Sequence, residues 1–462
     1  MKKLGIYVQV PFCQTKCTYC NFHTGVVASS RFAPYVEAVC GEIRGHRELL
    51  GAAGVGSGVG FAGQVHSQDS SRDRRETENR GLCHEAAVDT VYIGGGTPSL
   101  LDPTHVQDIL GAIRETFNLG SGGDGPGGRK SGGKPPHSKV PASGDGVYGV
   151  EERPGSPQGA GQAPGGPYRT EFEEVTLEAD PETIEAEKAA AWVEAGIDRV
   201  SLGLQSFVDK ELIAGGRMHR RADIYRAVSI LREAGIRNIS FDLIAGLPHQ
   251  TKESWRQSLE ELAVLAPEHG SVYLLEIDEG SRLGKELLQG GGKYSAGAVP
   301  SEDEMAEFYE MAQEALGAAG YHHYEISNWA KPGFESKHNL KYWRREPYFG
   351  FGAGAHSFSG TERWANAHDA AAYVTAVQSG RLPVEQHEML TAESALEEEL
   401  FLGLRQLDGI DLERIEQQYG VTLTGRFDPL ASAGLVEREG GLVRLAPGRL
   451  SVSNEVFVEL MR

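Results

Sequence analysis

Three of the five cysteines, Cys13, Cys17 and Cys20, crowd into one stretch with the spacing Cys-x-x-x-Cys-x-x-Cys. Three thiolates on one loop can bind three irons of a [4Fe–4S] cluster and leave the fourth iron open. An open iron accepts a chelating ligand, and the amino and carboxylate groups of S-adenosylmethionine suit it. That places a sulfonium beside a one-electron reductant able to release a deoxyadenosyl radical. Zinc is the competing reading, because His23 completes a Cys3His set and zinc prefers four closed N and S ligands. Cys40 and Cys83 stand alone and read as small buried hydrophobes. Crowded thiols in a chain with so few cysteines point to a metal or redox site, not a disulfide scaffold.

The elements that must position this loop are legible as apolar runs. Leu4–Val10, Thr90–Ile93, Val175–Leu177, Arg199–Leu204, Ile239–Leu243 and Val272–Leu275 read as buried parallel strands. Helical patterns follow several of them: Ile184–Ala195 before Gly196, Ala222–Ala234 before Gly235, and Lys252–Leu265. Strand–helix alternation implies right-handed βαβ units. Six repeats predict an α/β fold, an incomplete (β/α)6 barrel, with the cysteine loop at the carboxyl end of its first strand. A further helix over Glu302–Ala319 opens on the capping box Ser301-x-x-Glu304. From Thr391 the pattern becomes helix (Glu393–Leu404), helix (Leu412–Tyr419), helix (Gly425–Ala433), hairpin (Leu435–Leu445) and helix, the outline of a small winged-helix-like C-terminal domain. Two stretches break the pattern, at about 51–81 and 118–168. The second holds 16 Gly and 8 Pro in 51 residues, too few apolar groups to offset the cost of ordering the backbone. Both read as disordered insertions. The expected organisation is a barrel over 1–280, an extension over 281–390 and the C-terminal domain over 391–462.

Across 462 residues, 65 acidic side chains outnumber 45 basic ones, a net charge of −20. That balance argues against nucleic acid as a partner, since phosphates need Lys and Arg. The winged-helix-like segment is acidic too, so the same exclusion applies to it. The run Leu49–Gln68 has few charges but six glycines, too little apolar side chain for a membrane span. The start of the chain reads as a strand, not a signal peptide, so the expected place is the cytoplasm and an integral membrane protein is not expected.

The residues around the cysteines point the same way. GIYVQVPFCQTKCTYCNF, then VYIGGGTPSLL, VTLEADP, RVSLGLQSF, FDLIAGLP and SVYLLEI, in that order, resemble the radical SAM superfamily, in its oxygen-independent coproporphyrinogen oxidase branch. The resemblance covers nearly the whole chain apart from the two insertions. It implies that S-adenosylmethionine contacts Tyr7, Gly95, Gly96, Thr97, Glu178, Gln205, Arg217 and Asp242. In it Tyr7 packs on the cofactor, the glycines let backbone approach the methionyl amino group, Arg217 meets the methionyl carboxylate and Asp242 accepts from the ribose. Taken singly, each is more often a solvated or capping side chain.

Two departures select the branch member. The oxidase pattern has a fourth cysteine where Phe22 stands here, and an extension before a motif that here begins at Cys13. Both departures resemble the heme-chaperone (HemW-type) family, as does YEISNWAKPGFESKHNLKYWRREPYFGFGAGAHSF. This resemblance implies heme binding and transfer to an acceptor protein, whose identity stays open. His338 in His-Asn-Leu-Lys-Tyr-Trp is the implied heme ligand, with Tyr342 and Trp343 stacking on the macrocycle and Arg344 and Arg345 facing propionates. His356, His322 and His323 are the reserves. The plain alternative for His338 is a buried, hydrogen-bonded histidine among core aromatics. Oxygen-independent coproporphyrinogen III dehydrogenase, in porphyrin biosynthesis, is the alternative activity, and the resemblance leaves open whether the protein is an enzyme.

Overall fold

The computed structural model describes residues 3–52, 87–117 and 171–460. Six apolar runs become six parallel strands: β1 (Lys3–Val10), β2 (Ala87–Gly95), β3 (Glu174–Ala179), β4 (Arg199–Gln205), β5 (Asn238–Ala245) and β6 (His269–Leu274). They are hydrogen-bonded in chain order, each parallel to the next. Leu4, Ile6, Val8, Val91, Ile93, Val175, Leu177, Val200, Leu202, Ile239, Phe241 and Leu243 are sealed from solvent, as strands covered on both faces require.

Residues beyond β6 widen this sheet to twelve strands. β7 (His322–Glu325) and β8 (Asn328–Ala330) join beyond β6, with β8 antiparallel to it. β9 (Tyr348–Phe351) pairs parallel to β1, and β10 (His356–Phe358), β11 (Glu362–Asn366) and β12 (Val384–Met389) follow it antiparallel. Strands β7–β12 thus flank the six parallel strands at both edges of the sheet.

Helix boundaries follow cap chemistry. Lys252–Leu265 matches its expected limits, with the Thr251 hydroxyl accepting from the Ser254 N–H. The helices ending at Ala195 and Ala234 stop at Gly196 and Gly235, both left-handed. Glu302–Ala318 carries the expected capping box from Ser301 and Glu304. Several boundaries move, two of them for reasons the structure shows. The helix after β3 begins at Ala186, because Pro181–Thr183 forms its own 3-10 turn and Ile184 is extended. β6 begins at His269, not Val272, because the His269 ring is paired with Ser240 Oγ at 2.8 Å and Tyr324 OH at 2.8 Å and so can be buried in a strand.

The helix Phe32–Ala52 packs on Pro103–Phe117 and runs through Gly51, past the expected start of the first insertion. The rest of both insertions, and Cys83 with them, lies outside the described residues. The last seventy residues form the helices Ala392–Gly403, Leu412–Tyr419 and Thr424–Ser432, the hairpin Val436–Glu439 and Leu442–Leu445, and the helix Ser453–Leu460. No helix among the described residues is long and apolar enough to cross a membrane.

Candidate functional site

The carboxyl ends of the parallel strands open on a cavity of about 560 Å³. Its lining includes Cys13, Cys17 and Cys20, all free, with Gly95 ending β2, Gly96 and Thr97 after it, Glu178 from β3 and Asp180 just past it, Gln205 ending β4, Arg217, and Asp242 from β5. That is the size and mixed lining of a small-molecule site. Seven of the eight positions expected to contact S-adenosylmethionine line it together with the three thiols.

The cysteine loop is pinned by backbone. Cys13 donates its N–H to Gly25 O at 3.1 Å and Gly25 donates to Pro11 O at 2.8 Å. Thr18 donates to Gly215 O at 3.0 Å, and Leu283 donates to Thr18 O at 2.8 Å. Gly96 is the tightest point: its N–H bonds Val10 O at 2.8 Å, and a Cβ there would stand 2.4 Å from Phe12 O and 3.0 Å from Cys13 Sγ. Only glycine lets β2 come this close to the loop.

Burial raises the Cys13 and Cys20 thiols, so in the protein alone neither readily ionises. A strong Lewis acid offsets that cost, and three soft sulfurs on one loop are the donor set for iron–sulfur. Among the described residues no group of three or more His, Cys, Asp or Glu side chains is gathered to hold a metal ion. His23 is exposed, with its ring 4.3 Å from that of His368. A polynuclear cluster needs no point within reach of all three sulfurs, whereas one zinc does.

Arg217 is more committed than the sequence suggested. Its guanidinium pairs with Asp180, donates to Gly203 O at 2.8 Å and touches Cys17 Sγ at 3.5 Å. Asp180 also accepts from Thr97 Oγ1 at 3.1 Å. Asp180 was not singled out from the sequence; its place two residues after Glu178, just past the end of β3, was the available signal. Glu178 accepts from Tyr92 OH at 2.7 Å and from the Gly95 N–H at 2.8 Å, while burial pushes its carboxyl up to about 7. Asp242 lies three residues inside β5, not at its end, and accepts from Ser201 Oγ at 3.0 Å; burial raises it as well. Gln205 sits at φ 66°, an uncommon backbone for a side chain of its kind at the cavity wall.

Tyr7 is not among the cavity-lining residues. It stacks on Tyr92, its register partner across β1 and β2, and donates to Gln9 Oε1 at 2.5 Å.

His338 is not among the cavity-lining residues, although its ring lies 5.4 Å from that of Tyr92 and 6.5 Å from that of Tyr7. It heads the helix Lys337–Trp343, whose first N–H groups donate to the Glu174 carboxylate, and its ring meets Thr90 and the backbone of Gly5. These are residues near the amino ends of β3, β2 and β1. The cysteine loop leaves β1 about five residues further on, roughly 17 Å away. The His338 ring is fully buried, with Nδ1 paired to Thr90 Oγ1 at 2.9 Å and Nε2 to Tyr342 OH at 2.9 Å. Burial, with Lys341 beside it, lowers its pKa to about 3. An iron could reach Nε2 only after Tyr342 withdrew. Tyr342 packs edge-on against His338 and Tyr348, and Trp343 lies under the Arg405 guanidinium at 4.4 Å. Arg345 is paired with Glu398 at 3.1 Å, and exposed Arg344 donates to Gln406 Oε1 at 3.4 Å. His323 stacks on Trp329 at 3.9 Å, His322 is exposed on β7, and His356 is exposed at the start of β10.

Comparison with known proteins gives the following. Residues 7–262 match the Radical SAM superfamily, and residues 390–450 match the HemN C-terminal domain. The heme chaperone HemW of Bacillus subtilis (strain 168) is 30% identical over 455 residues, 98% of this chain and 97% of that protein. HemW of Escherichia coli (strain K12) is 28% identical over 353 residues, 76% of this chain and 69% of that one. Among solved structures, the radical SAM enzyme coproporphyrinogen III oxidase (HemN) from Escherichia coli has a TM-score of 0.72 at 20% identity, covering 99% of this chain and 90% of that chain. The last likeness speaks to fold.

Proposed function

The chain belongs to the radical SAM superfamily and, within it, to the family of the heme chaperone HemW; on that premise we propose that it binds heme and passes it to an acceptor protein. In this reading Cys13, Cys17 and Cys20 hold a [4Fe–4S] cluster, and S-adenosylmethionine is its exchangeable ligand. When bound, that pair supplies one-electron chemistry. The chain's own residues do the rest. Arg217, anchored by Asp180, sets positive charge beside Cys17 Sγ. Gly95, Gly96 and Thr97 bring backbone to the cavity wall, and Glu178, Gln205 and Asp242 present acceptors to an amino group and to hydroxyls. Tyr7 acts at one remove, by holding Gln9.

The observation that carries the reading is the convergence of three unpaired thiols and seven polar or glycine positions on one cavity. We assign 1–280 to the barrel, open between β1 and β6, 281–390 to the family-specific extension and 391–462 to a winged-helix-like domain. The proposed place is the cytoplasm and the acceptor is a protein, with no nucleic acid involved. Oxygen-independent coproporphyrinogen III dehydrogenase is the second reading, favoured by the same cavity residues.

The test is to load the anaerobically reconstituted protein with hemin and offer it an apo-hemoprotein. Roughly one heme per chain, released to that acceptor, is expected. Conversion of coproporphyrinogen III to protoporphyrinogen IX with S-adenosylmethionine and reductant, without heme uptake, would replace the first reading by the second.

A further inference from the structure

Three histidines that the cavity does not use meet on the surface beside the cysteine loop. His23, three residues after Cys20, is exposed, and its ring centroid lies 4.3 Å from that of His368. His368 Nδ1 is shielded from solvent and has no hydrogen-bond partner. Gly354 lies directly against it, since a Cβ there would stand 3.1 Å from His368 Nδ1. Two residues on, His356 is exposed at the start of β10, and the Gly354 N–H bonds Ala367 O at 2.9 Å, which brings the segments carrying His356 and His368 side by side.

The segment that carries His23 is also unusually apolar for a surface. Phe22 is 66% exposed, Val26 59% and Val27 41%. Large apolar side chains left in water within one short segment are the kind of surface that binds an apolar ligand. Phe22 also lines the mouth of the cysteine cavity. A flat apolar macrocycle with a Lewis-acid metal at its centre matches both halves of this surface: imidazole for the metal, Phe and Val for the ring.

We infer that His23, His356 and His368 form the axial-ligand surface for heme iron, with Phe22, Val26 and Val27 bearing on the porphyrin face. The inference rests on the heme-chaperone reading above and moves the heme from the buried His338 to the rim of the cysteine cavity. His338, with both ring nitrogens engaged in the interior, then joins the helix Lys337–Trp343 to the strands.

Hemin titration of the reconstituted full chain, followed at the Soret band, tests this. The variant His23→Ala/His356→Ala/His368→Ala is expected to weaken hemin binding at least about tenfold and to shift the Soret maximum, as loss of the axial ligand requires. His338→Ala is expected to keep the wild-type Soret position per folded chain while melting at a lower temperature. Carbethoxylation mapping of the wild-type protein needs no variant: bound hemin should protect His23, His356 and His368. A triple variant with wild-type affinity and Soret band, or three histidines as reactive with hemin as without, would overturn the assignment. If the wild-type protein binds hemin but only His338→Ala loses it, the site is refuted and the chaperone reading stands. If the wild-type protein binds no hemin, both fall.

Discussion

At the scale of single residues, the site is built on close approach and desolvation. Gly96 is the clearest case, because any side chain there meets Phe12 O and Cys13 Sγ at once. Gly96→Ala is expected to displace the cysteine loop, cost about 1–3 kcal/mol of stability and lower the iron retained per chain after anaerobic reconstitution. Iron and sulfide analysis beside a thermal melt checks this; full iron content would show that the loop tolerates the methyl group. The chemistry of this loop was legible in the sequence because thiol spacing is a local property. Asp180 and Tyr92 were not, since each acquires its role from a partner distant in the chain: Arg217 for the first, Glu178 for the second. His338 shows the same limit. His-Asn-Leu-Lys-Tyr-Trp reads as core from its residues and as a ligand motif from the family resemblance, and Thr90, 248 residues away, decides where its ring sits.

At the scale of elements, the parallel strands were readable because strands covered on both faces are near-continuous apolar runs. The flanking strands β7–β12 were not, because they are short and gain their identity from pairing with strands remote in sequence. The helix Lys337–Trp343 is held on the strand ends by a buried ion pair. Lys341 Nζ lies 2.9 Å from Asp89 and 3.0 Å from Glu346, with its side chain 3% exposed. Removing one member of such a pair strands its partner's charge, so Lys341→Met is expected to cost about 3 kcal/mol. Because this helix docks away from the thiols, iron content per folded chain should stay at the wild-type level. Chemical denaturation with parallel iron analysis measures both, and loss of iron without loss of stability would contradict this division.

At the scale of the whole molecule, one buried carboxyl ties the first helix to the extension. Glu42 accepts from the Gly352 N–H at 2.9 Å, Asn366 Nδ2 at 2.7 Å and Tyr373 OH at 2.6 Å. Burial nonetheless pushes it up to about 7 from an ordinary 4.5. The folded chain therefore binds this proton more tightly than the unfolded one. The resulting stability is fully present below pH 4.5 and is lost as pH rises through about 7, by roughly 3 kcal/mol at most. Glu42→Gln is expected to be less stable at pH 5, having one acceptor oxygen fewer, but to lose less between pH 5 and pH 8. Urea midpoints of both proteins at the two pH values check it; equal slopes would show that Glu42 stays ionised when folded.

The account stands or falls on what Cys13, Cys17 and Cys20 hold. Anaerobic reconstitution with iron and sulfide, quantified by metal and sulfide analysis, is the most direct measurement. About four irons and four sulfides per chain are predicted, falling sharply in Cys13→Ser, Cys17→Ser and Cys20→Ser. A chain that retains no iron and sulfide, or that takes up one zinc in their place, would contradict it.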